Sequence, residues 1–338
     1  MTSRKDQIER FLDRSGWGGL PRHVVAGDAS NRRYDRIVRK TGETAIFMDA
    51  PREKGEDIEP FVLIAKFLES CGLSAPRILA SDSTLGFLLL EDLGDGIYAR
   101  VLEEKPQLEN EIYSSAVDVL VHLHGHKPPD IPCYDAAVTT DLAALAFDWY
   151  QRGVGIKVEG RGVFCTHMFA ILTPLDSTPR VLIQRDYHAE NLLWLPERQG
   201  VARVGLLDFQ DSMLGHPAYD LVSILQDARR DVPLDIETQM IARFVQQTSF
   251  DPEEFNQAYA RLGIQRNLRI LGVFARLSMA YGKPGYVDLI PRVWSHLMRM
   301  LKTPGLEDLR TLLTETLPAP TPGVLNTLKE QCGKHALP

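Results

Sequence analysis

The sequence predicts an α+β chain in two parts. A small β-rich lobe covers residues 1–93, a larger helical lobe covers 94–317, and a tail follows at 318–338. Three observations carry that division. Short β-prone runs joined by Gly-bearing turns crowd the first part, helical periodicity dominates the second, and only three brief apolar runs interrupt the helices. With 338 residues the chain is long enough to bury a core in each part.

Taken in order, Ile8, Phe11 and Leu12 stand at helical spacing until Gly16, Gly18 and Gly19 stop the helix. Val24 and Val25 lead into Gly27 as a strand. Arg33–Val38 passes through Lys40-Thr41-Gly42-Glu43 into residues 44–48, the pattern of a β-hairpin. Ile58, Phe61, Val62, Ala65 and Leu68 form one apolar helical face, closed by Gly72. Strands at 77–80 and 86–90 complete the lobe, which ends near Glu91-Asp92-Leu93-Gly94.

Beyond it, helices are expected at about 108–124, 139–153, 162–172, 219–229, 236–248, 252–262, 266–281 and 291–301. The interrupting strands are Val181–Ile183, 191–195 and 204–209. Pro318, Pro320 and Pro322 point to a loosely packed tail in which 324–328 can dock as a short helix. Two lobes of this kind leave a cleft, a favoured place for a ligand.

Charge and composition exclude several classes. Asp plus Glu number 45 against 38 Lys plus Arg, a net charge of −7 that argues against nucleic acid as the main partner. No run approaches the roughly 20 apolar residues that cross a bilayer. The charged, amphipathic N-terminus is no signal peptide. Cys71, Cys133, Cys165 and Cys332 lie far apart without CxxC spacing, so neither a zinc site nor a disulfide framework is expected. The expectation is an acidic, soluble, cytoplasmic protein with no membrane partner, whose oligomeric state stays open.

Chemistry concentrates in residues 181–220. Asp186 and Asn191 flank a short loop between two β-like segments, and Asp208 ends the apolar run Val204-Gly205-Leu206-Leu207. Each alone is an ordinary turn residue. Together, an Asp, an Asn five residues on and a strand-ending Asp seventeen residues later are what metal-dependent phosphoryl transfer needs. One Asp orients the attacking hydroxyl, while the amide and the second carboxylate offer hard oxygens to Mg²⁺ beside the phosphates of ATP.

QRDYHAEN followed by LLDFQDSMLGHPAYDL resembles the catalytic and metal-binding loops of the aminoglycoside phosphotransferase family, which shares the protein-kinase-like fold. The resemblance rests on Asp186, His188, Asn191, Asp208, Asp211, Gly215, Pro217, Tyr219 and Asp220. It implies that Asp186 is the catalytic base, that Asn191 and Asp208 are Mg²⁺ ligands, and that Asp220 is a buried structural acid bracing the loop through backbone N–H groups. His188 either contacts phosphate or acceptor or packs beneath the loop. Asp211 is placed with the acceptor-binding residues.

Two departures from the family pattern stand out. Gln184 replaces its first histidine, and the strand Thr44–Asp49 lacks the lysine that pairs with the nucleotide phosphates in kinase-like folds. The substitute is expected in the hairpin at 26–34, where Ser30 and Asn31 bring small or polar groups and Arg33, with Arg32 and Arg36, brings charge. Strand alternation separates Arg33 from Arg32 and Arg36. By position, backbone groups of Glu91, Asp92 and Leu93 correspond to the adenine-binding hinge.

Within the family, SNRRYDRI, IFMDAP and GFLLLEDLGD are similar to bacterial kinases that phosphorylate N-acetylmuramate or N-acetylglucosamine at C1 during cell-wall recycling. That likeness implies a small amino-sugar acceptor. Asp141 and Trp149 are candidates to contact it, with the aromatics of the 139–153 helix serving either as a sugar-stacking face or as core. Arg276 and Lys283 either meet an anionic substituent or lie in solvent. Rival readings are a kinase for a cationic aminoglycoside or an amino alcohol, which would call on Asp227, Asp231, Asp235 and Glu237, and a nucleotide-binding regulator without turnover.

Overall fold

The computed structural model describes residues 3–27, 31–157 and 159–336. Ser30, expected at the nucleotide, lies outside the described residues. By contacts the chain forms two compact units, Met1–Pro129 with Ala189–Ser212, and Asp130–His188 with Met213–Pro338.

The first unit is built on a five-stranded antiparallel sheet. Its strands are β1 (Arg22–Gly27), β2 (Arg33–Val38), β3 (Thr44–Asp49), β4 (Ile78–Asp82) and β5 (Phe87–Glu91), in the spatial order β1-β2-β3-β5-β4. The Gly42 turn sets the hairpin register, pairing Arg33 with Asp49 and Ile37 with Ala45. That register turns Ile37, Ala45, Phe47, Phe87 and Leu89 to one face.

Helix α1 (Arg4–Arg14) covers this face with Phe11 and Leu12, and Trp17 joins the cluster. Ser3 and Asp6 close a capping box at its start. Phe11, Phe47 and Phe87 meet with ring centroids 5.4–6.0 Å apart. Helix α2 (Glu59–Ser70) buries Phe61, Ile64, Ala65 and Leu68 along one stripe, as its spacing predicts.

Helices α3 (Tyr98–Glu104) and α4 (Glu109–His124) follow, the first of them missed in the sequence. At the C-terminal end the short docked helix allowed for 324–328 is present, and a second helix that was not expected precedes it. Helices at Glu307–Thr316 and Pro322–Glu330 pack on the second unit, and Leu328 is fully buried, so the proline-rich stretch is a connection between docked helices rather than loose chain.

The second unit is mainly helical. After α5 (Ala136–Ala143) the expected long helix breaks into a π-helical turn, Ala146–Gln151. Next come α6 (Arg161–Leu172) and β6 (Val181–Ile183). Strands β7 (Leu192–Trp194) and β8 (Val204–Leu206) pair in the first unit, whereas β9 (Met213–Gly215) pairs with β6 in the second. Helices α7 (Ala218–Leu225), α8 (Leu234–Gln247), α9 (Pro252–Met279) and α10 (Ile290–Met300) complete the core, and the two terminal helices are α11 and α12.

The helices expected at 252–262 and 266–281 are one. Asp251 caps α9 with Pro252 at its first position, and the chain runs on through Gly263. A Gly in mid-helix costs about 1 kcal/mol, which tertiary burial offsets. Two glycines of α9 serve packing. A Cβ on Gly263 would stand 3.0 Å from Met300 Cγ, and one on Gly272 would stand 2.2 Å from the carbonyl carbon of Leu145. Among the described residues no helix is long and apolar enough to cross a membrane, and the four cysteines are free.

Candidate active site

The loop bearing Asp186 begins where β6 ends. This strand pairs with β9, where a Cβ on Gly215 would meet Ile183 Cδ1 at 2.5 Å and force that side chain to shift. Two residues on, the backbone turns sharply. Arg185 adopts φ +70°, a left-handed conformation that costs a non-glycine residue on the order of 1–2 kcal/mol. Asp220, from the first turn of α7, supplies the compensation. Its carboxylate accepts the backbone N–H of Gln184 at 2.6 Å and of Arg185 at 2.9 Å. Ser223 Oγ donates to the Arg185 carbonyl at 3.3 Å, and the N–H groups of Asp186 and His188 close successive turns within the loop.

An asparagine at 220 would offer one acceptor and aim an N–H at the other backbone donor. Leaving that donor unpaired costs about 1–3 kcal/mol. Asp220→Asn should therefore lower the unfolding midpoint and the turnover rate together, measured by denaturant titration and a coupled ADP assay. An unchanged midpoint would show that these two hydrogen bonds do not hold the loop.

Asp186 is half-buried, and the desolvation it suffers would by itself favour the protonated acid. The positive charges of Arg269, Arg266 and Arg185 outweigh desolvation and hold its carboxyl below the ordinary carboxylate range. Arg266 is itself fully buried on α9. One turn along, Arg269 Nη1 donates to Tyr219 Oη at 3.4 Å. Tyr219 and Tyr134 hydroxyls lie 3.2 Å apart, and the Arg185 guanidinium sits 5.3 Å from the Tyr134 ring centroid. The result is an ionised carboxylate inside a cationic and aromatic shell. Arg266 and Arg269 escaped sequence reasoning, although two arginines three residues apart within an apolar helix are a visible signal.

His188 is buried, with Nε2 3.4 Å from Arg229 Nη1. Burial holds its imidazole down at about 4, as it does those of His216 and His296. Each such group contributes stability that is present above about pH 6.5 and lost as pH falls toward 4, because only the unfolded chain takes up the proton in between. Asp220 acts oppositely, since burial pushes its carboxyl up to about 7. Three imidazoles outweigh one carboxyl, so the melting temperature should fall on acidification from pH 6.5 to 4. A flat or rising melting temperature across that window would contradict the assignment of neutral buried histidines.

The second polar pair stands on the β7–β8 hairpin of the first unit. Asn191 immediately precedes β7, and Asp208 follows β8 with φ +56°. The Leu207 N–H donates to the Asn191 carbonyl at 3.0 Å, which locks the two ends together. Phe209 packs on Phe61 with centroids 4.8 Å apart, and Gln210 Nε2 donates to Asp208 Oδ1 at 2.7 Å.

Asn191 Nδ2 lies 3.4 Å from Asp208 Oδ2, so a half-turn of the amide presents two oxygens side by side. Among the described residues no three His, Cys, Asp or Glu side chains surround one point. A pair of hard-oxygen donors without a protein cage fits Mg²⁺, which keeps waters and phosphate oxygens as its remaining ligands. Asp211 is exposed in the turn beyond.

The arginines of the hairpin have partners that their spacing did not reveal. Arg32 pairs with Glu56 at 2.8 Å, both largely buried, and Arg36 donates to Asp92 at 3.0 Å and Asp95 at 3.1 Å. Arg33 pairs with the buried Asp35 at 2.9 Å, yet its side chain remains 62% exposed. Asn31 is tied to Glu56 through its N–H and to the Lys54 carbonyl through its amide. Glu91 accepts from Arg77 and Arg198, and the Leu93 side chain lies against Gly205.

In the second unit, Asp141 is exposed on α5. Trp149 is 8% exposed in the π-helical turn, where Phe147 and Tyr150 are fully buried.

The sequence profile of the phosphotransferase enzyme family matches residues 22–261, and the chain belongs to that family. It is a phosphotransferase with the kinase-like fold. A choline/ethanolamine kinase family protein from Mesorhizobium loti superposes with a TM-score of 0.61 at 14% identity, covering 97% of this chain and 100% of that one. Two relatives are more similar in sequence. An N-acetylmuramate/N-acetylglucosamine kinase of Caulobacter vibrioides is 36% identical over 92% of this chain and 96% of its own. A protein of the same name from Pseudomonas aeruginosa is 33% identical, over 88% of this chain and 90% of its own.

Proposed function

We propose that the chain transfers the γ-phosphoryl group of ATP to the anomeric hydroxyl of an amino sugar, N-acetylmuramate or N-acetylglucosamine, in cell-wall recycling. The observation that carries this reading is the charge around Asp186. Arg185, Arg266 and Arg269 surround it, a setting that repels a polycationic acceptor and suits a neutral or anionic one.

Two of the four acids that an aminoglycoside would call on are paired elsewhere. Asp231 pairs with Arg292 and Glu237 with Arg299 and Tyr259. Asp227 is buried, and Asp235 stands exposed in the first turn of α8. The names of both relatives support the same acceptor.

In this reading Asp186 accepts the proton of the anomeric hydroxyl while the sugar oxygen bonds to the γ-phosphorus. The P–O bond to ADP breaks in line, and its electron pair leaves with ADP. The protein's work is positioning and charge neutralisation more than covalent chemistry. Asn191 and Asp208 would hold Mg²⁺, which neutralises phosphate charge when bound. Arg33 is the candidate for the missing strand lysine, because its side chain is the most exposed of the three hairpin arginines. Asn31 and the backbone of Glu91, Asp92 and Leu93 are proposed for the rest of the nucleotide.

The deciding experiment offers MgATP with N-acetylmuramate, N-acetylglucosamine, an aminoglycoside and choline in parallel and identifies products by mass. A sugar 1-phosphate is expected. Phosphorylation of the aminoglycoside or choline alone would overturn the acceptor assignment. ATP binding without any product would favour a regulatory role.

A further inference from the structure

The two candidate sugars share a ring and an anomeric hydroxyl but differ in charge. N-acetylmuramate carries a lactyl carboxylate on C3, where N-acetylglucosamine has a hydroxyl. Resting on the amino-sugar reading, we infer that Arg229 is the specificity-determining cation that receives the lactyl carboxylate beside the loop bearing Asp186.

Four arginines of the second unit lie near that loop, and three are committed. Arg266 is buried, Arg269 bonds Tyr219, and Arg185 lies over Tyr134. Arg229 differs. It stands in the bend between α7 and α8, exposed, with its backbone N–H fixed on Asp227 Oδ1 at 2.8 Å. Its guanidinium touches two uncharged groups. One is His188 Nε2 at 3.4 Å, and the other is the Tyr286 ring, whose centroid is 5.9 Å from Cζ. Among the described residues no carboxylate side chain pairs with it.

His188 is two residues beyond Asp186, and its N–H donates to the Asp186 carbonyl at 3.1 Å. Arg229 is therefore one contact away from the loop, on an accessible surface. A neutral imidazole can accept from the guanidinium and hold its plane without cancelling its charge. Burial keeps His188 neutral across the working pH range. Tyr286 packs in turn on Phe274 of α9, with centroids 5.3 Å apart, which fixes the aromatic side of the subsite. A guanidinium held this way presents its remaining N–H donors as a fork, the geometry that takes a carboxylate bidentately. N-acetylglucosamine has nothing to fill that fork, so the two substrates should depend on Arg229 to different extents.

The test measures kcat/KM for both sugars in the wild-type protein, in Arg229→Gln and in Arg229→Lys. The methyl ester of N-acetylmuramate serves as the uncharged version of the acid. In Arg229→Gln the ratio of kcat/KM for N-acetylmuramate over N-acetylglucosamine should fall about tenfold to hundredfold, chiefly through KM, the loss that fits one charge-assisted pair. Arg229→Lys should retain part of the preference. The wild-type protein should handle the methyl ester as Arg229→Gln handles the free acid, with the ester insensitive to the substitution.

Equal losses for both sugars, or a preference for the acid over its ester that survives in Arg229→Gln, would overturn the assignment and leave the amino-sugar reading standing. Wild-type protein that phosphorylates neither sugar would remove both. N-acetylglucosamine turnover reports folding in each variant, so an unfolded protein is not mistaken for a lost anion site.

Discussion

Asp186→Asn should reduce turnover by about 10²–10⁴-fold, the usual cost of removing a general base. The amide can neither accept the hydroxyl proton nor balance the charges gathered around it. Because Arg269, Arg266 and Arg185 hold the native carboxyl below its ordinary range, Asp186 stays ionised throughout the near-neutral range. The wild-type rate should therefore show no acidic limb from this group above the ordinary carboxylate range. The substitution also leaves the buried Arg266 less compensated, so some loss of stability is expected with it. Circular dichroism at the assay temperature separates the two effects: the protein should remain folded while single-turnover transfer slows. Undiminished transfer would remove Asp186 from the chemistry.

Gly272→Ala should destabilise the protein by about 3 kcal/mol, the upper range for overpacking, or prevent its accumulation as folded material. Helix propensity alone predicts the opposite sign, since Ala is better than Gly in a helix interior by about 1 kcal/mol. Packing decides. The added Cβ would lie 2.2 Å from the Leu145 carbonyl carbon, 2.3 Å from its oxygen and 2.6 Å from its Cβ. Backbone atoms cannot rotate out of the way, so α9 must move from the chain that leads into the π-helical turn. Arg266 and Arg269 ride on α9, and their displacement should also slow turnover. Urea unfolding settles the sign, and a midpoint equal to or above that of the wild type would refute the close contact.

Much of the architecture was legible because local rules and tertiary burial agree. The 33–38/44–48 hairpin, the α2 stripe, β6 and the helices near 109–124 and 290–300 all lie where period and turn chemistry place them. Failures occur where a contact distant in sequence overrides the local signal. Residues 252–279 form one helix because Gly263 sits against Met300 and Gln226, not at a helix end. The expected 139–153 helix widens into the π-helical turn Ala146–Gln151 directly after Leu145, the residue that lies against Gly272 of α9. The helix at 307–316 was not expected, whereas the one at 322–330 is the docked alternative for 324–328, with the Ser278 hydroxyl donating to the Leu328 carbonyl.

The same division runs through the candidate site. Asp186, Asn191, Asp208 and Asp220 could be read from the chain because short loops between short strands bring them into fixed local relations, and the strands are recognisable by their own residues. No local rule assigns the arginines. Arg32, Arg33 and Arg36 look alike in sequence, yet one is buried on Glu56, one shields Asp35 with its head exposed, and one is spent on Asp92 and Asp95. Arg266 and Arg269 reach Asp186 from a helix some eighty residues further along the chain, and Arg229 reaches His188 from a bend. The sequence by itself thus determined the family, the fold and which acidic and amide groups are candidates for the site. Only the tertiary structure decided where positive charge is free to act, because charge depends on which partners the fold brings within a few ångströms and how much water it leaves around them.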